Sequence, residues 1–146
     1  MFIYLDSSVL IKKYFDEFAS KLVVDIWNEN KYIAISQVGY SEILGTIQKK
    51  QKIENFSDKV KDSITKKFKN DWDECIKMNV DQSINLELDR IHSKYLLRGF
   101  DAIHLVSAII LFREIEEETL FLSADDTLSK AAKKDGLNIG DYRWKK

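Results

Sequence analysis

Short, continuously apolar runs alternate along the chain with stretches in which apolar residues recur every three or four positions. The apolar runs predict β-strands, because a strand that is buried on both faces shows no polar alternation. These strands cover residues 2–6, 32–35, 76–80 and 120–124, and a last edge strand is predicted at 139–144.

Helical spacing fills the intervals between the strands. The predicted helices cover residues 7–15, 22–27, 40–47, 56–72, 84–95, 101–112 and 128–132. The alternation of strands and helices favours an α/β fold in which a mainly parallel sheet of about five strands lies between two helical layers, a three-layer sandwich. No linker divides the 146 residues, so a single domain spanning 1–146 is predicted.

The composition excludes several classes of protein. Hydrophobic residues make up 45% of the chain, which is enough to form a core and excludes disorder. One cysteine and two histidines do not suit a dedicated zinc cluster, and a lone cysteine favours the reducing cytoplasm. The longest apolar stretch, 105–112, is far shorter than the ~20 residues of a membrane span. The first residues also lack the basic segment of a signal peptide, so a soluble cytoplasmic protein is expected.

The charge is nearly balanced overall, at −1, but it is uneven along the chain. Residues 49–69 contain eight lysines against three acidic residues, a local surplus of five positive charges. A solvated helix face is the simpler interpretation of this segment. A surface for a phosphate backbone is the functional alternative, and it depends on the segment lying beside an acidic site.

Acidic residues follow three of the predicted strands. Asp6 follows the first strand, Asp81 the third and the pair Asp125-Asp126 the fourth. The carboxyl ends of parallel strands meet at one edge of a sheet, where functional sites form. Like charges gathered there repel by roughly 4 kcal/mol per pair at about 4 Å and an effective dielectric of about 20. A divalent cation removes this repulsion, and oxygen ligands suit Mg²⁺ or Mn²⁺.

Each of these aspartates also has a structural interpretation as a helix N-cap, because its side chain can accept hydrogen bonds from the first turn. The two serines after Asp6 could provide that cap instead, which leaves the role of Asp6 open. One of Asp125 and Asp126 is expected to cap the following helix, and periodicity does not distinguish them. Asp81 is interpreted as an ordinary cap.

Two further acidic residues lie on predicted helices. Asp101, in the first turn of the apolar helix, shares a face with His104 and needs a partner, either a metal or a lysine. His104 is interpreted as a packed histidine, because hard oxygen sites rarely recruit imidazole. Glu42 lies opposite the apolar stripe of its helix, which predicts exposure to water, although the small residues on its face would allow a second element to approach.

Four segments of the chain together resemble the motifs of PIN-domain proteins, and most closely those of the VapC-type toxins of prokaryotic type II toxin–antitoxin systems. These segments are Tyr4–Lys12, Ser41–Leu44, Leu97–Leu105 and Leu122–Asp125. The resemblance spans nearly the whole chain in the family's order. It implies a PIN fold, in which the first and fourth strands lie side by side near the point where the strand order reverses.

The resemblance also implies an activity and a site. The family's four acidic positions correspond to Asp6, Glu42, Asp101 and Asp125, which implies a Mg²⁺- or Mn²⁺-dependent endoribonuclease with these residues as catalytic and metal-binding groups. The family's hydroxyl positions correspond to Ser7 and Ser123, which would orient ligands or waters around the four acids. A cognate antitoxin, an RNA substrate and a homodimer are the implied partners.

Three other functions compete with this interpretation. A receiver-type signalling domain would need a lysine at the end of a late strand, and no predicted strand ends in one. A phosphatase of the D-x-D type would need a second acid two residues after Asp6, where the chain has Ser8. A catalytically inert PIN-like binding module is the stronger alternative, and metal binding distinguishes it from a nuclease.

Overall fold

The structure, a computed structural model, describes all 146 residues and contains four β-strands and seven α-helices. The strands are β1 (Phe2–Leu5), β2 (Tyr32–Ser36), β3 (Ile76–Met78) and β4 (Thr119–Leu122). The helices are α1 (Ser7–Leu10), α2 (Ser20–Glu29), α3 (Val38–Glu54), α4 (Asp58–Glu74), α5 (Asn85–Lys94), α6 (Gly99–Arg113) and α7 (Asp126–Lys134). One 3-10 turn, Ile11–Lys13, follows α1, and a second, Gln82–Ile84, precedes α5.

The four strands form one parallel sheet in the order β3-β2-β1-β4. The predicted α/β class is therefore confirmed, with four strands in place of about five. β1 and β2 are the interior strands, and their continuous apolar sequences follow from burial on both faces. Helix α6 is also buried along most of its length, as its uniformly apolar sequence predicts.

The two faces of the sheet carry separate hydrophobic cores, because successive side chains of a strand point to opposite faces. Ile3 and Leu5 belong to a core of 17 buried residues under α1, α2, α3 and α4. Tyr4 belongs to a core of 13 buried residues under α5, α6 and α7. Helices thus cover both faces of the sheet, and this is the three-layer arrangement that the sequence predicts.

The predicted edge strand at 139–144 does not form. We call residues 138–146 the closing segment; its one backbone link to the sheet is the bond from Phe121 N–H to the Asn138 carbonyl, 2.8 Å long. Gly140 then takes a left-handed conformation, with φ of 66°, and its N–H donates to Asn138 Oδ1 over 3.0 Å. This turn directs the chain away from β4, so the apolar residues after it cannot continue a ladder.

The reversal of strand order places two strand ends side by side. The chain builds the sheet from β1 through β2 to β3, and then returns to place β4 on the other side of β1. Leu5 pairs with Leu122 at the carboxyl ends of these two strands, and the Asp6 N–H continues the ladder to the Leu122 carbonyl over 3.0 Å. Such a switch point is where open α/β sheets form their functional sites.

No single helix is long and apolar enough to cross a membrane. The helical segments 82–94 and 99–113 together have the length and apolar composition of a membrane span, but the chain bends by 117° between them.

Candidate active site

Asp6 lies at the switch point and is almost completely buried, with 3% of its surface exposed. Its Oδ1 accepts hydrogen bonds from the Val9 N–H over 3.2 Å and from Ser8 Oγ over 2.6 Å, so it is the N-cap of α1. Its Oδ2 accepts a hydrogen bond from Ser123 Oγ at the end of β4, over 2.5 Å. Capping and a position in the site are therefore compatible, because the two carboxylate oxygens serve different partners.

Burial raises the pKa of the Asp6 carboxyl above its ordinary value. The charge of nearby His104 and the hydrogen bonds from Ser123, Ser8 and Val9 lower the pKa, but they do not offset the burial. Below the folded-state pKa the buried group is neutral, and above it the fold must bear a buried negative charge. A cation beside Asp6 would relieve that cost.

Asp6→Asn is expected to stabilise the cation-free protein near neutral pH. The unfolded chain ionises Asp6 at a lower pH than the folded protein, so wild-type stability falls as pH rises from the ordinary aspartate pKa to the raised one. Asparagine is neutral throughout and caps a helix equally well. We expect a higher Tm for the variant at pH 7, by about 2–4 °C per kcal/mol gained, and a difference that shrinks toward pH 4. Thermal melts in EDTA test this, and a lower Tm for the variant at pH 7 would contradict it.

Glu42 belongs to a chain of hydrogen bonds that crosses the site. Its Oε1 accepts from Ser7 Oγ over 2.8 Å and pairs with His104 Nε2 over 2.6 Å, while His104 Nδ1 pairs with the Tyr4 hydroxyl over 2.8 Å. Because an ionised carboxylate only accepts, Nε2 must carry the proton, and in neutral His104 the Tyr4 hydroxyl then donates to Nδ1. This arrangement fixes the position of Glu42 and leaves its Oε2 without a protein donor.

Glu42 is half-buried, which differs from the exposure that its apolar stripe predicts. Burial alone would raise the pKa of Glu42 and is the largest single influence on it. The hydrogen bond and charge of His104, together with the hydrogen bond from Ser7, lower the pKa below its ordinary value overall. Glu42 is therefore ionised at neutral pH.

Gly39 lets the first turn of α3 lie close to β2. A Cβ at this position would lie 2.6 Å from Ile35 Cδ1, so a larger residue would force the Ile35 side chain to move. The same Cβ would lie 3.5 Å from Ser7 Oγ, which is an ordinary contact distance. Gly45, the other glycine of α3, has open space around it.

Asp101 and Asp125 share one arginine. Arg98 Nε donates to Asp101 Oδ2 over 3.0 Å, and Arg98 Nη2 lies 3.5 Å from Asp125 Oδ2. The arginine side chain is 80% exposed, whereas that of Asp101 is 17% exposed. The partner of Asp101 is thus Arg98, which precedes α6, and not the metal or lysine expected from the sequence. The exposed arginine side chain can move into solvent.

Asp125, and not its neighbour, is the N-cap of α7. Its Oδ1 accepts from the Leu128 N–H over 2.8 Å, while its Oδ2 points to Arg98. Asp126 is exposed in the first turn of the helix. The expected cap is therefore Asp125, which also lines the cleft. Asp81 caps the turn before α5 through Ser83 N–H, as its position indicates.

All four predicted acids line one cleft of about 400 Å³ at the carboxyl ends of β1 and β4. The residues of the cleft come from five segments of the chain. Its lining comprises Asp6, Ser7, Ser8, Ile11, Glu42, Thr46, Arg98, Asp101, His104, Ala124, Asp125 and Lys145. Ser123 does not line the cleft but donates a hydrogen bond to Asp6. Arg98 and Lys145 are site residues that the motifs do not predict; the spacing of Arg98 three residues before Asp101 is a signal for their pairing, and Lys145 has no such signal.

The carboxylate oxygens of the cleft are suitable ligands for a divalent cation, but they are not arranged as a complete coordination sphere. No three histidine, cysteine, aspartate or glutamate side chains are arranged here to hold a metal ion. Arg98 occupies oxygens of Asp101 and Asp125, and serines with His104 occupy the other two carboxylates. A cation that displaced the exposed arginine would find carboxylate oxygens, the ligands that Mg²⁺ and Mn²⁺ prefer.

The acids of the cleft outnumber its lysine and arginine side chains. Four carboxylates line it together with Arg98 and Lys145. Arg98 pairs with Asp101 and Asp125, whereas Lys145 forms no ion pair. Asp6 and Glu42 therefore have no lysine or arginine partner.

The parallel α/β sheet thus has an acidic cleft at its topological switch point, with two carboxylates that follow β1 and β4 and two that lie on α3 and α6. The family model described as the PIN domain matches residues 3–134. The chain belongs to the PIN domain family, which confirms the resemblance of its motifs.

Solved structures of other proteins share this fold. A toxin–antitoxin complex from Klebsiella pneumoniae has a chain that is 18% identical, with a TM-score of 0.61 over 84% of this chain and 86% of that one. VapBC2 from Rickettsia felis, bound to a promoter DNA fragment, gives 13% identity and a TM-score of 0.67, with coverages of 98% and 100%. FitAcB from Neisseria gonorrhoeae gives 12% identity and a TM-score of 0.67, with coverages of 95% and 96%. No curated protein matches the chain.

Proposed function

We propose that this protein is a Mg²⁺- or Mn²⁺-dependent endoribonuclease and the toxin of a type II toxin–antitoxin system. The observation that carries the proposal is the meeting of four acids from distant parts of the chain in one cleft that contains only two lysine or arginine side chains. A structural role would pair each acid with its own cation, and here one exposed arginine serves two of them. The structures with this fold that belong to toxin–antitoxin complexes support the biological setting.

We assign the four acids different roles in binding the cation. Asp6 and Asp101 would hold the cation, with Glu42 and Asp125 binding it directly or through water. A bound divalent cation lowers the pKa of water toward neutrality and stabilises the charge that grows on the phosphoryl oxygens. Ser7 and Ser123 hold carboxylates in place by hydrogen bonds, as outer groups around metal sites do.

Glu42 is the best placed acceptor for the proton of the attacking water. Its Oε2 has no donor in the protein, while Oε1 is held by Ser7 and His104. The lowered pKa of Glu42 keeps the group ionised and able to accept at neutral pH. The oxygens of Asp6 that the structure holds in hydrogen bonds are less available for this role.

The lysines of α3 and α4 support the proposal of an RNA substrate. Helix α3 presents Glu42, Thr46 and Lys49 on one face, and Lys49 lies about 10 Å beyond Glu42 along the helix axis. Of the eight lysines at residues 49–69, Lys50 pairs with Glu17 and Glu54, and none of the others forms an ion pair. A phosphate backbone that leaves the cleft along α3 would therefore meet unpaired positive charge.

Two exposed apolar side chains near the start of α6 are available to a protein partner. Leu96 and Phe100 have 96% and 58% of their surfaces exposed. We include a cognate antitoxin and a second copy of the chain among the proposed partners.

The test is cleavage of total RNA by the purified protein, with Mg²⁺ and with excess EDTA, followed by mapping of the cut ends. We expect discrete cuts with Mg²⁺, none with EDTA, and recovery when Mn²⁺ is added to the chelated protein. Mn²⁺ titration separates this proposal from an inert binding module. The pairing of Asp101 and Asp125 with Arg98 favours that second function, and an inert module would bind Mn²⁺ no better than its Asp6→Asn, Asp101→Asn double variant.

A further inference from the structure

Lys145 is a cation in the acidic cleft that forms no ion pair within the chain. It lines the same cleft as Asp6, Glu42, Asp101 and Asp125. Its ammonium group forms no ion pair with any of them, in contrast to Arg98, which pairs with two. A positive side chain without an ion-pair partner, next to the proposed divalent-cation site, is in a position to bind an anionic group of the substrate.

The closing segment carries Lys145 to this position by contacts of its own. The bond from Phe121 N–H to the Asn138 carbonyl fixes the start of the segment against β4. The left-handed turn at Gly140 then redirects the chain, and a Cβ there would lie 2.5 Å from the Tyr142 ring. This turn therefore requires glycine.

Two aromatic contacts hold the end of the segment. Trp144 packs against the core under α1–α4, and its ring centroid lies 5.5 Å from that of Tyr142. The Arg143 guanidinium lies 5.7 Å from the ring of Phe18. Lys145 thus follows an anchored tryptophan, and its place at the cleft is set by packing rather than by attraction to the carboxylates.

We propose that Lys145 binds a phosphate of the RNA substrate at the mouth of the cleft, and that the closing segment positions it for this purpose. The inference rests on the proposed nuclease function and assigns it a substrate contact outside the four acids. A lysine suits this task because its ammonium is a compact charge on a flexible stem, which can follow a backbone phosphate of any sequence.

The adjacent lysine provides a matched control. Lys146 follows Lys145 directly but does not line the cleft, so Lys145→Gln and Lys146→Gln change the net charge equally. Both variants are made in Asp6→Asn protein so that the RNA stays intact, and binding of a fluorescein-labelled, mixed-sequence single-stranded oligoribonucleotide is followed by anisotropy from low to moderate salt.

We expect Lys145→Gln to weaken RNA binding about five- to tenfold at low salt. The slope of log affinity against log salt should fall by about 0.7, the value for one phosphate contact to a single strand. Lys146→Gln should leave both quantities near those of the parent, and Lys145→Arg should restore them. Trp144→Ala should reproduce the Lys145→Gln result, because the lysine then loses its anchor. In protein with Asp6 intact, Lys145→Gln should raise KM and leave kcat within about twofold.

Other outcomes overturn the inference. Equal slopes for the two glutamine variants would show that Lys145 contacts no phosphate. Tighter Mn²⁺ binding by Lys145→Gln with unchanged RNA binding would make it a counter-ion of the acids instead. If the parent shows no salt-dependent RNA binding although the wild type cleaves RNA, only the role of Lys145 is lost. If the wild type does not cleave RNA with Mg²⁺, the proposed nuclease function fails and the role of Lys145 fails with it.

Discussion

Asp6→Asn and Asp101→Asn each abolish RNA cleavage, by at least about 100-fold, in a protein that remains folded: this is the largest effect we expect of any substitution. Asparagine keeps the shape of the side chain and most of its hydrogen bonds, and it removes the charge that would hold a divalent cation. Because Asp6 is buried and Asp101 is mostly buried, no water-exposed carboxylate can substitute for either one.

The measurement pairs an activity assay with circular dichroism melts and Mn²⁺ titration of the same preparations. Asp126→Asn is the matched control, since Asp126 is an exposed aspartate next to Asp125 and lies outside the cleft. It should keep wild-type activity and Mn²⁺ affinity. Full activity of either Asp6→Asn or Asp101→Asn would exclude the proposed assignment of the site.

His104→Ala is expected to lower the free energy of unfolding by about 2–4 kcal/mol and cleavage by about 10- to 100-fold. The imidazole is buried, with 1% of its surface exposed, and it links the Tyr4 hydroxyl to Glu42. Its removal leaves a cavity, a fully buried hydroxyl without this partner and a carboxylate without its main donor. Glu42 would then lose both its orientation and the cause of its lowered pKa.

Urea denaturation measures the loss of stability, and the activity assay measures the loss of orientation. The other histidine of the chain, His92, is exposed near the end of α5 and serves as the control. We expect His92→Ala to change stability by less than about 0.5 kcal/mol. A His104→Ala protein as stable as the wild type would show that the buried chain of hydrogen bonds contributes nothing to the fold.

The strand ends could be predicted from the sequence because strands that are buried on both faces have continuously apolar sequences. Asp6 and Asp125 follow two such runs, and the structure pairs those runs as β1 and β4. The buried position of α6 was predicted in the same way, from a helix with no polar face. In each case a local pattern was sufficient, because the pattern records contact with the core.

The surroundings of Glu42 and Lys145 could not be predicted in this way. Glu42 is half-buried between Ser7 of α1 and His104 of α6, two elements that the periodicity of its own helix does not record. Lys145 lines the cleft beyond the left-handed turn at Gly140, at the place where the apolar residues of 139–144 predicted a strand. Both cases depend on neighbours in space that a local sequence pattern does not contain.

The parallel pairing of β1 with β4 also governs when the cleft can exist during synthesis. Asp6 meets Ser123 across 117 positions of sequence, and Tyr4 meets His104 across 100. Contacts of such long range form late, after the intervening chain has left the ribosome. A nascent chain that stops before β4 lacks half of the switch point, so the cleft cannot assemble until residues 119–125 have been synthesised.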